Sequence, residues 1–107
     1  MRAAVRQMAI ESGHGSTAFA EADLALHLRI ASASGNPFMR SIGAVIEAAL
    51  RSSFVLSAPA DEEAYRITVA AHGRIVDAIE AGDGEAAAEA MTTVILNGRQ
   101  RHAAAAP

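Results

Sequence analysis

Asp23 and His27 stand four residues apart in a segment that reads as helix, which puts the two side chains one turn apart on one face. Phe19 and Ile30 share that face and turn it toward the interior. His72 occupies a second helical stripe, among Val69, Ile75, Val76 and Ile79, and so also points inward. A buried carboxylate must find a partner. One carboxylate and two neutral imidazoles converging from two helices are a suitable first shell for a divalent transition metal. Spacing alone leaves the plainer alternatives open: Asp23 and His27 hydrogen-bonded to each other or facing solvent, and His72 satisfied by a backbone carbonyl.

The remaining polar groups offer less. His14 sits in the loop Ser12-Gly13-His14-Gly15-Ser16 and His102 in the C-terminal tail, and both read as ordinary surface residues. Ser52, Ser53, Ser57, Thr92 and Thr93 have no obvious base beside them, which gives no case for nucleophilic catalysis. Gly82-Asp83-Gly84 reads as a helix–helix turn, since no phosphate-binding glycine pattern follows a strand. Asp61-Glu62-Glu63 reads as a helix start, with the acids in its positive first turn. Arg29 and Arg66 are candidates to meet an anionic ligand where they border a cavity, and otherwise solvated or salt-bridged.

Five helices must position these groups. The first runs from Met1 to about Glu11, and the second from near Thr17 to Ser34, with Phe19, Asp23, Leu26, His27, Ile30 and Ser34 on one face. Asn36-Pro37 restarts the chain, Asn as N-cap and Pro in the first turn. The third helix then extends to about Leu56, with Ile42, Val45, Ile46, Ala49, Leu50 and Phe54 inward. Asp61 caps the fourth, whose stripe is Tyr65, Val69, His72, Ile75, Val76 and Ile79. Gly82 closes it and Asp83 caps the last, whose stripe is Ala87, Ala90, Met91, Val94 and Ile95. Asn97-Gly98 should begin to break that helix, leaving residues 103–107 frayed.

Composition agrees with an all-α antiparallel bundle in a single domain over 1–107. About a quarter of the chain is Ala, every basic residue is Arg and only 4% is aromatic, which favours helix over sheet. A net charge of −3 lacks the basic excess of a nucleic-acid-binding domain. With no Cys there is no disulfide framework or thiolate chemistry, as suits a reducing cytoplasm. The longest uncharged stretch, Ile30 to Met39, is well short of the ~18 residues a membrane helix needs. A chain of this size buries only a modest core, and leftover apolar surface is most naturally covered by a partner chain or a missing segment.

Three blocks carry a family resemblance. Asp23, His27 and the helix break Ser34-Gly35-Asn36-Pro37 form the first; His72, Ile75, Ala78-Ile79 and Gly82-Asp83 the second; Ala87 and Ala90-Met91 the third. In this order they resemble the FCD domain, the all-helical effector-binding domain of the FadR subfamily of GntR transcription regulators, over about residues 17 to 98. The resemblance implies a metal site inside the bundle, built from the Asp, the His four later and two further histidines, with a small carboxylate or sugar-acid effector beside the metal. Asp23, His27 and His72 match three of these positions. The fourth, 22 residues after His72, is held by Val94, which cannot ligate and should weaken binding. The family's winged helix-turn-helix, and the helix that opens its effector domain, would lie before Met1.

The chain is therefore expected to be the ligand-sensing domain of a GntR/FadR-type regulator and not an enzyme. Asp23, His27 and His72 would hold zinc, nickel or manganese, and Arg29 is a further candidate anchor for a small anionic metabolite. A homodimer is expected, with DNA reached only through a domain outside this chain. The competing readings are a helical dimerisation or structural module without metal or effector, and a small metal-dependent hydrolase, for which no second carboxylate is well placed as a base.

Overall fold

Side-chain caps and short loops divide the chain into five helices among the described residues: α1 Arg2–Glu11, α2 Ser16–Ala33, α3 Pro37–Leu56, α4 Glu62–Glu80 and α5 Gly84–Ala105. They come from a computed structural model that describes residues 1–105, apart from the side chains of Ile42, Val45, Ile46 and Ala105. Asn36 accepts the Phe38 N–H at 3.0 Å, with Pro37 in the first turn of α3. Asp61 accepts the Ala64 N–H at 2.8 Å, and Asp83 accepts the Ala86 N–H at 3.0 Å. Between α4 and α5, Gly82 turns left-handed at φ 73°, so that its N–H reaches the Ile79 carbonyl and the Asp83 N–H reaches that of Ala78. That pair of bonds satisfies carbonyls the helix end would otherwise leave orphaned.

The helices close into a ring. α1 packs on α2, α2 on α3, α3 on α5, α5 on α4, and α4 back on α1. The α3–α5 contact is the slightest of these. Gly43 lets α3 approach α2 closely, since a Cβ there would stand 3.0 Å from Leu28 Cδ2. α2 and α4 face each other across the interior through their side chains. Phe19 meets Tyr65 edge-on, with ring centroids 4.9 Å apart. Met8, Phe19, Ala22, Leu26 and Val76 fill the α1–α2–α4 side of the core, and Ala71, Ile75 and Val94 join α4 to α5. No helix among the described residues is long and apolar enough to cross a membrane.

The antiparallel all-α bundle matches the expectation from sequence, with corrections along it. α5 runs straight through Asn97-Gly98 to Ala105. One glycine costs a helix only about 1 kcal/mol, which the packing of the added turns offsets. Residues 106–107 lie outside the described part. Ile95 was expected inward and is 56% exposed, because one residue beyond Val94 is about 100° around the helix. Ala49 and Ser34 are exposed as well, while Leu50 and Phe54 are half-buried. The expected inward positions Ile42, Val45 and Ile46 fall outside the described side chains. α2 buries Ala20, Ala22 and Leu24 beyond its expected stripe, since helices flank it on several sides.

Candidate metal centre

α2 and α4 each present their polar core residues at the level where the interior opens toward α3 and α5. His72 is 1% exposed and sits between the buried Ala71 and Ile75. Its Nδ1 lies 2.8 Å from the Thr68 carbonyl one turn earlier. A carbonyl only accepts, so Nδ1 carries the proton, and in the neutral ring Nε2 is left as a lone pair. That lone pair faces His27 Nε2 at 3.3 Å and Asp23 Oδ1 at 2.9 Å. His27 Nε2 is itself 3.0 Å from Oδ1. The His27 ring is braced edge-on by Phe54 of α3, with centroids 5.2 Å apart.

The three ligand atoms thus form a small triangle, and its hydrogen bonding is incomplete. His27 Nε2 and His72 Nε2 stand at hydrogen-bond distance, and a neutral His72 can only accept there. Asp23 Oδ1 is buried and has no aligned donor. With both rings neutral, the two imidazole nitrogens are close to it without aiming a proton at it. Burial alone would raise the Asp23 carboxyl; hydrogen bonding to His27 and His72 and the positive charge these rings carry when protonated override that and hold it down to about 2. A buried, ionised and undonated carboxylate calls for a cation. Ligand bonds of about 2.0–2.1 Å at angles between octahedral and tetrahedral separate the ligand atoms by roughly 2.8–3.4 Å. The triangle edges of 2.9, 3.3 and 3.0 Å match this closely. Asp23, His27 and His72 therefore fit a divalent metal.

Beside the triangle lies a cavity of about 480 Å³, within the usual size of a small-molecule site. Its wall includes all three polar residues together with Phe54, Val94 and Arg101. Val94, 8% exposed, indeed faces the site from α5, where its isopropyl group adds apolar surface and no ligand.

The other sequence candidates fall elsewhere. Arg29 is exposed and borders a shallow hollow with Met1, Ser32 and Ala33, well apart from the triangle. Two residues beyond His27 is about 200° around the helix, so His27 facing in sends Arg29 out. Arg66 pairs with Glu63 on the surface at 3.0 Å. His14 is exposed, as expected. His102 is not a loose surface group: it is half-buried and lines the cavity. Arg101 is the residue that sequence reading overlooks. Its Nε donates to the Ser57 carbonyl, pinning the last turns of α5 to the end of α3. Burial lowers its pKa, and attraction to Asp23 opposes the shift. Only the continuation of α5 past Gly98 brings Arg101 and His102 here; their spacing from Val94, seven and eight residues, is the signal that could have found them.

Among known proteins, the model of the FCD domain matches residues 1–97. The match takes in α1, which precedes the span carrying the motif resemblance. No curated protein and no solved structure matches the chain.

Proposed function

The chain belongs to the FCD domain family, and from that premise we propose that it is the effector-sensing domain of a GntR-type regulator of the FadR subfamily, with a divalent cation held by Asp23, His27 and His72 and a small carboxylate or sugar acid bound next to it. One observation carries this reading: a buried carboxylate oxygen without a donor stands 2.9 and 3.0 Å from two imidazole nitrogens, at the edge of a cavity of ligand size.

The protein's own groups have separate tasks. The Thr68 carbonyl fixes the tautomer and ring orientation of His72, as outer-shell partners of metal-binding histidines do. Phe54 holds His27 in place, and Asp23 supplies negative charge where a cation would sit. Three protein ligands leave coordination positions free, and a bound cation supplies an electrophilic point for a ligand carboxylate there. Imidazole and carboxylate suit zinc, nickel and manganese, and Val94 in the fourth position makes the site weaker than a four-ligand one.

The cavity wall draws on α2, α3, α4 and α5, so a ligand there favours one arrangement of these helices over others, which is what coupling to a second site requires. DNA would be reached through a winged helix-turn-helix domain, in a cytoplasmic homodimer. Thermal unfolding with a panel of small carboxylic and sugar acids tests the reading. An acid that raises the Tm when zinc, nickel or manganese is present and loses that effect in EDTA supports it; acids that act identically with and without cation refute the metal-assisted mode.

A further inference from the structure

Arg101 places a second cationic point in the wall of the same cavity, on a different helix from any of the three metal-ligand candidates. Its side chain is half-buried, and Nε is committed to the Ser57 carbonyl, which fixes the guanidinium while leaving both terminal nitrogens to serve elsewhere. No carboxylate among the described residues lies within ion-pair reach of it. A half-buried guanidinium that feels Asp23 only at a distance, with no carboxylate in direct contact, is a poor structural element and a good anion receptor, because its planar fork matches a carboxylate with two parallel hydrogen bonds.

Charge in the wall points the same way. Asp23 is its one acidic residue among the described side chains, against Arg99 and Arg101. A divalent cation at Asp23, His27 and His72 would leave the cavity strongly positive, more than a single carboxylate neutralises. Leu50, Phe54, Val94 and Ile95 supply apolar wall that suits a short carbon chain between two charged ends.

We infer that Arg101 is a specificity-determining residue that selects dianionic ligands, short dicarboxylic acids or their hydroxylated relatives, by clamping the acidic group remote from the metal triangle. This inference rests on the effector reading above, but it concerns the other end of the ligand.

Isothermal titration of the full chain, with and without zinc, tests it using four- to six-carbon dicarboxylates and the monocarboxylates of equal chain length. The tightest probe is expected to be a dicarboxylate, at least about tenfold tighter than its monocarboxylate counterpart, as a charge-assisted pair warrants. Arg101→Gln should reduce that preference to about threefold or less, and Arg101→Lys should restore part of it; circular dichroism confirms that each variant is folded. A dicarboxylate preference that depends on Arg101 but appears without any metal uptake upholds the inference and overturns the metal site. Metal uptake with no dicarboxylate preference, binding of neither class, or a preference that survives Arg101→Gln overturns the inference and leaves the metal question to its own measurement.

Discussion

His72 Nε2 and Asp23 Oδ1 face each other at 2.9 Å, and in the neutral ring the Thr68 carbonyl holds the imidazole proton on Nδ1, away from the carboxylate. With His72 neutral, two acceptors meet at that distance and repel unless a cation, a proton on the ring or a metal ion, stands between or beside them. The arrangement is sensible for a site that is completed by a cation and awkward for one that is not. Most of what the protein should do in solution follows from this.

Acid should weaken the fold through Asp23. Its folded-state value of about 2 lies below the ordinary 3.8. The unfolded chain therefore takes up the proton first as pH falls. The stability from this group is fully present above about pH 4 and is lost as pH falls through about 2; its full size is on the order of 2 kcal/mol. Urea midpoints measured in EDTA at pH 5, 3 and 2 check this. Asp23→Asn should flatten the acid limb, whereas an equal slope in both proteins would mean that Asp23 is not held ionised.

Restoring a histidine at position 94 should strengthen metal binding. Val94 is buried and lines the same cavity as the triangle, so an imidazole there has a route to the site. Val94→His is expected to tighten zinc at least about tenfold, as a further ligand warrants, while destabilising the metal-free protein by about 1–3 kcal/mol through a buried, poorly satisfied polar group. Chelator competition gives the first number and urea unfolding the second. Unchanged zinc affinity would mean that residue 94 does not reach the ion.

The two histidines should differ in stability although both are needed for metal. His72 is fully enclosed and His27 retains 18% of its side-chain exposure. His72→Ala opens a cavity in packed surroundings and should cost about 2–4 kcal/mol. His27→Ala should cost about 1 kcal/mol, since solvent reaches the vacated space. Chemical denaturation without metal separates them; equal losses would contradict the burial difference.

Much of this was legible in the chain. Asn36-Pro37, Asp61 and the Gly82-Asp83 turn mark helix boundaries through local hydrogen bonds, and local bonds are visible to sequence. The i,i+4 spacing of Asp23 and His27 likewise fixes their shared face. What escaped depends on neighbours. Ala20, Ala22 and Leu24 are buried by helices on other sides of α2, which a single periodic stripe cannot report. The run of α5 through Gly98 is decided by packing against α3 and by Arg101 reaching Ser57, partners 44 residues apart. Arg29 points away from the site for a reason that angle alone supplies: a residue two beyond an inward one faces outward.

The most direct test is zinc binding by the metal-free protein, followed by equilibrium dialysis with elemental analysis, beside the near-isosteric Asp23→Asn variant. One zinc per chain is expected, with affinity falling more than about a hundredfold in the variant, beyond the 10–100-fold typical of losing an outer-shell partner. Absence of stoichiometric zinc, or equal affinity in both proteins, would contradict a metal centre at Asp23, His27 and His72.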